Sequence, residues 1–267
     1  MQHPVHHNAQ ATALSEWVPL LLVVTVAILY LYTVLKIGSE KGGWNHWRTV
    51  SFLIGITMLC IALVPTLMRW AHQDLRGHMV QHLLIGMYAP LFLVLGAPIT
   101  LALKALPVRV SRIITAILRS NWFYFLSHPV TAFLLNIGGM YLLYLTPLYV
   151  ESLTKPYLHY IVHVHFLVAG YLFTWSMIGQ EPVPKRPAFH VRVFMLFISI
   201  AAHAFLSKFM YAFLYPLHSP HSNGQIQEAA KLMYYWGDLS ELLLAIVLFG
   251  MWYKKRGIST NPSPSTY

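Results

Sequence analysis

The sequence predicts an all-α polytopic membrane bundle of seven transmembrane helices. Two observations carry that reading. Of 267 residues, 57% are hydrophobic and only 10% charged, with a mean hydropathy of +0.56. Apolar runs of about 20 residues, long enough to cross a bilayer, recur along the chain. A soluble domain carries roughly 25% charged residues, so a water-surrounded globule is excluded. The single cysteine, Cys60, lies inside an apolar run, which excludes an intrachain disulfide, a CxxC redox motif and a thiolate cluster.

The runs fall near 17–36, 49–68, 79–103, 130–149, 157–178, 190–214 and 232–253. The first is preceded by 16 polar or small residues without a basic segment, so it reads as a span rather than a removable signal peptide. The third contains Pro90 and Pro98 and is expected to kink. Between the third and fourth, Pro107–Asn121 reads either as a basic amphipathic helix on the inner surface or as a solvated connector. The fourth carries Gly138-Gly139, the fifth opens with three histidines, the sixth holds His203 and Lys208, and the seventh holds Asp238 and Glu241. The chain thus divides into a histidine-containing tail (1–16), a seven-helix domain (17–253) and a basic tail (254–267).

Charge sets the expected orientation. The net charge is +10, from 18 Lys+Arg against 8 Asp+Glu, but the basic residues flank apolar runs, so nucleic acid is not an expected partner and the lipid bilayer is. One set of span ends carries 13 of them: Lys36, Lys41, Arg48, Lys104, Arg109, Arg112, Arg119, Lys185, Arg186, Arg192, Lys254, Lys255 and Arg256. The opposite set carries only Arg69, Arg76, Lys155 and Lys231. The positive-inside rule then puts the N-terminus outside and the C-terminus in the cytoplasm.

Histidines sort by side in this frame. Of 15, only His46, His128 and His190 fall at the basic ends. The rest lie at the opposite ends or within spans: His3, His6 and His7, then His72, His78 and His82, then His159, His163 and His165, then His203, and His218 and His221 in the last outer loop. His78/His82 and His159/His163 are i,i+4 pairs, each on one helix face. His165 points to another face of the fifth span. A rise of about 1.5 Å per residue puts His82 and His163 roughly 5–10 Å deep, Asp238 and Lys208 about 9 Å, and His203 about 16 Å. Ionisable groups in a membrane interior mark functional sites. The expected metal ligands are therefore His78, His82, His159, His163, His165, His203 and Asp238. Two plainer readings compete: a lone membrane histidine such as His203 as an interhelical hydrogen-bonder, and Asp238 as the ion-pair partner of Lys208.

Imidazole, carboxylate and thioether donors without thiolate leave copper and zinc open, and affinity order favours copper. The run HMVQHLLIGMYAPLFLVLGAPITLALKALP (His78–Pro107) and the run HFLVAGYLFTWSMIGQEPVPKRP (His165–Pro187) resemble the CtaG family of bacterial membrane proteins, which serve assembly of haem–copper cytochrome c oxidase. The resemblance covers most of the chain. It implies a seven-helix protein of the bacterial plasma membrane that delivers copper to the oxidase from the outer face. It carries His78, His82 and His165 over as functional residues and Asp238 as the acid of the last span. Leu239-Ser240-Glu241 departs from the glutamine-rich stretch expected after that acid. Expected partners are oxidase subunits, with a further copper chaperone and a second copy of the chain both left open.

Two other classes compete. A copper transporter could use Lys208, Asp238 and His203 along a path. A haem-binding cytochrome needs well-placed histidines at both ends, and His128 and His190 sit at loop edges. HExxH, GxSxG and Walker motifs are absent, so no catalytic role is expected.

Overall fold

The computed structural model describes residues 17–38, 43–179, 181 and 186–259. The tail with His3, His6 and His7, together with Lys41, Lys185 and residues 260–267, lies outside the described residues. Every regular element among the described residues is helical. Six helices are long and apolar enough to cross a membrane, and a bent seventh makes the count up to seven.

The first span is α1 (Val18–Gly38) and the second α2 (His46–Leu63), opened by Asn45, whose side chain accepts the Trp47 N–H. A short helix, α3 (Pro65–Gln73), leads to Asp74, whose carboxylate accepts the Arg76 N–H and starts α4 (Leu75–Leu83). The third span continues through a π-turn at Leu84–Tyr88 into α5 (Ala89–Leu95).

That π-turn is how the helix accommodates Pro90. Proline has no N–H to give the Gly86 carbonyl four residues earlier, and the Ala89 N–H reaches back five residues to Leu84. Pro98, expected to bend the same span, instead starts a separate helix, α6 (Pro98–Ala105), after Ala97 turns the chain at φ 49°. Glu181 caps this helix. Its two carboxylate oxygens accept the Ile99 and Thr100 N–H groups at 2.9 and 2.8 Å, and one of them also accepts the Thr100 hydroxyl.

The basic segment forms α7 (Val108–Arg119), with Val108, Ile113 and Ile117 exposed beside Arg109 and Arg112, followed by α8 (Asn121–Leu126). The fourth span is α9 (Pro129–Phe133), a second π-turn at Leu134–Gly138, and α10 (Gly139–Leu145). It then bends by 77° into α11 (Leu148–Thr154), so the apolar run is not one straight helix. Spans five and six are α12 (Pro156–Ile178) and α13 (Phe189–Phe213). The last, α14 (Asn223–Ser259), is one helix of 37 residues, starting nine residues before the expected 232 and continuing through Lys254–Arg256.

α12 lies against both π-turns. A Cβ at Gly170 would stand 2.0 Å from the Gly86 carbonyl oxygen, so only glycine lets α12 reach the third span there. Five residues earlier, His165 Nε2 donates to the carbonyl of Leu135 in the second π-turn at 3.0 Å. α14 packs along both α13 and α4, which brings the polar positions of four spans into one interior.

Candidate functional site

At the end of the bundle away from most basic residues, imidazoles form a ladder. Exposed His72 on α3 packs against buried His159 on α12, ring centroids 4.1 Å apart. His159 packs in turn on His163 at 4.1 Å, and His163 lies 6.1 Å from His78 across the gap to α4. His82 follows His78 one helical turn further in. The i,i+4 spacing on α4 and α12 therefore does place each pair on one face, and the two faces meet.

Within this ladder, His78 Nε2, His82 Nδ1 and His159 Nε2 are buried without any hydrogen-bond partner. A buried polar atom left unpaired costs about 1–3 kcal/mol, so three in one cluster call for an occupant or a function. His163 differs. Its Nδ1 donates to the His159 carbonyl at 2.7 Å, and its Nε2 faces the Gln81 side-chain oxygen at 2.8 Å. Both partners are acceptor oxygens and a neutral ring carries one N–H, so with Nδ1 donating, the Nε2 lone pair is unbonded against the oxygen of Gln81, whose amide nitrogen is held by the Ala62 carbonyl.

Sulfur and phenol groups surround the ladder. His82 Nε2 meets the Met140 sulfur at 3.1 Å, and the Tyr144 hydroxyl points at the Met79 sulfur at 3.9 Å. Tyr149 stands edge-on to His78 at 5.0 Å, and its hydroxyl bonds His221 Nε2 at 2.8 Å. Above it, Asp74 ties Arg76 at 2.6 Å and Gln225 at 3.2 Å, joining α4 to α14. The Arg76 guanidinium holds the Asp74 carboxyl below its ordinary range. Burial pushes the His221 imidazole below its ordinary value, with Asp74 opposing.

A second cluster sits apart, on α13 and α14. His203, Asp238 and Glu241 each offer one ligand atom within 4.8 Å of the others. His203 and Glu241 are fully buried, and the Ser199 hydroxyl donates to Glu241 Oε1 at 2.8 Å. Equal depth of Asp238 and His203 contradicts the helical-rise reading, which put them about 7 Å apart. Counting from 232 failed because α14 starts at Asn223, 15 residues before Asp238, and the packing of α14 on α13 rather than the count sets their relative depth. Gly237 makes the approach feasible, since a Cβ there would stand 1.9 Å from His203 Cε1. Lys208 is not in an ion pair with Asp238 among the described residues; its ammonium lies 5.0 Å from the Tyr234 ring centre.

The seven expected ligands are thus divided. His78, His82, His159 and His163 share the ladder, His203 and Asp238 share the second cluster, and His165 serves the π-turn carbonyl on another face. The sequence reading left His72, Gln81, Met140, Tyr149 and Glu241 outside its ligand set. Of these, His72 was legible as one of the histidines at the less basic ends and Glu241 as an acid three residues after Asp238. At the basic end His128 caps α9 through its Nδ1, a helix-starting role.

Fold and site together define a polytopic helical membrane protein with a ligand-rich interior. Residues 28–255 match the cytochrome c oxidase caa3 assembly factor family, Caa3_CtaG, and the chain belongs to it. It is 34% identical over 189 residues, 68% of its length, to uncharacterized proteins of Mycobacterium bovis and Mycobacterium tuberculosis. One of Mycobacterium leprae is 33% identical over 193 residues. The chain spans about 29% of the length of these relatives. No solved structure matches it.

Proposed function

We propose that the chain is a copper-binding assembly factor that holds the metal on the histidine ladder and passes it to a cytochrome c oxidase from the outer face of the membrane. Family membership supports the oxidase as destination and a non-catalytic role. The observation that carries the metal is the set of three buried, unpartnered imidazole nitrogens on His78, His82 and His159. Their donors, with the Met79 and Met140 thioethers nearby, suit copper. All are neutral, so a monovalent cuprous ion adds the least charge to a membrane interior. Stepwise ligand exchange from exposed His72 through His159 and His163 to His78 and His82 gives the ion a route between surface and interior. The outer location of the ladder rests on the basic asymmetry of the span ends.

Metal analysis of the purified full chain tests this. Wild-type protein is expected to retain copper, and His78→Ala with His82→Ala to lose most of it while remaining folded. Equal copper in the double variant defeats the proposal.

A further inference from the structure

We infer that His203, Asp238 and Glu241 form a second metal site, separate from the ladder and selective for a divalent cation. This inference does not depend on copper occupying the ladder. Four observations support it. The three ligand atoms already lie within 4.8 Å of one another. Tetrahedral ligands about 2.0–2.2 Å from a zinc-sized ion stand roughly 3.4 Å apart, so modest side-chain rotations close the set. The lone pairs are free: neither ring nitrogen of His203, nor Asp238 Oδ1, nor Glu241 Oε2 has a hydrogen-bond partner, and His203 is wholly buried.

Charge is the third. Two carboxylates in a membrane interior are costly without a counter-charge. Among the described residues no Lys or Arg forms an ion pair with either acid; the Lys208 charge acts on Asp238 at longer range, and the one short approach is His203 Nδ1 to Glu241 at 4.0 Å. A divalent ion beside a neutral imidazole would leave the cluster neutral, whereas a monovalent ion would leave it negative. The neutral ladder has the opposite preference, so the two clusters sort ions by charge.

The fourth observation is space. Glu241 also lines a cavity of about 20 Å³ with Ser240, Thr174 and Asn136, on a side that His203 and Asp238 do not line. The Glu241 carboxyl therefore has room beside it into which it can rotate when the three ligand atoms close on an ion.

Zinc alone, being redox-inert, is the probe. Metal-stripped full-length protein is loaded with Zn²⁺ and, separately, with Cu⁺ under reducing conditions, and bound metal is counted. Asp238→Asn with Glu241→Gln is expected to lose one equivalent of Zn²⁺ and keep its Cu⁺. His78→Ala with His82→Ala is expected to show the reverse. Unchanged zinc in the carboxylate variant overturns the site, and zinc lost equally from both variants reduces the two clusters to one. Cu⁺ retained by the histidine variant counts against the ladder alone. X-ray absorption of the zinc-loaded wild-type protein needs no variant. The divalent site predicts one imidazole among oxygen ligands, and a shell of three or more imidazoles would refute it.

Discussion

His82 Nε2 lies 3.1 Å from the Met140 sulfur, bridging the third and fourth spans. The thioether is a weak acceptor, so the ring's proton resides on Nε2 and its lone pair on Nδ1, the nitrogen without a partner. Met140 thereby orients His82 from a different helix. Met140→Leu keeps the volume and removes that acceptor. Cuprous affinity, read by competition with a chromophoric chelator, is expected to fall about 10–100-fold, the usual scale for losing an outer partner of a ligand. Wild-type affinity in this variant would assign the sulfur to packing alone.

Gly170 is the contact point of α12 with the first π-turn. Gly170→Ala forces backbone against backbone and is expected to cost about 1–3 kcal/mol, the overpacking range. Thermal unfolding in detergent should show a lower midpoint. The histidine-ladder end should loosen with it, because His163 rides on the same helix. An unshifted midpoint would mean that α12 already has slack there.

Glu181 holds the start of α6 with three accepted hydrogen bonds from 82 residues away in sequence. Glu181→Ala removes the acceptor of two part-buried N–H groups and is expected to destabilise by about 1–3 kcal/mol. Glu181→Gln keeps one acceptor and should fall between. Chemical denaturation of the three proteins reads the order Glu, Gln, Ala; any other order removes the capping role.

His221, in the loop before α14, has its imidazole pushed below its ordinary value by burial, with Asp74 opposing and Tyr149 bonded to its Nε2. Since the folded state holds the proton less well than the unfolded chain, its contribution is fully present above the unfolded value of about 6.5. It is lost as pH falls through the folded value. Stability measured at pH 7 and pH 5 should therefore drop more in the wild type than in His221→Asn. Identical slopes would take His221 out of the pH response.

Orientation has a direct check. A reporter active only in the cytoplasm is expected to work after Arg256 or within Lys104–Asn121 and to fail within residues 216–222. The reverse pattern would turn the ladder to the inner face and end the delivery scheme, while leaving the two residue clusters as they are.

Most of the spans were legible because lipid demands long apolar runs, and composition alone reveals those. The i,i+4 pairs were legible for the same local reason. What lay beyond reach was relational. Pro90 is absorbed by a π-turn only because Gly170 on a distant helix lets the freed Gly86 carbonyl be covered, and no local pattern announces that. His165 matched a family motif, but that its Nε2 would meet the Leu135 carbonyl on a different helix could not be read from local spacing. Asp238 was placed too shallow because hydropathy marks where a helix turns apolar, whereas its axis begins with polar Asn223–Gln227. Glu241, nearly one turn further on, meets His203 through the packing of α14 on α13, which a count along either helix alone does not give.

The 37 residues of α14 make a continuous rod about 55 Å long, against a hydrocarbon core of roughly 30 Å. The rod contains no proline and is one unbroken helix, Gly237 included. Its two extremities are therefore coupled like the arms of a balance: a tilt of about 5° about the midpoint swings each end by roughly 2 Å in opposite directions. Gln225, tied to Asp74, sits on one arm, and Lys254–Arg256 sit on the other. A load applied to the basic arm is felt mechanically at the Asp74 fastening on the far side of the membrane.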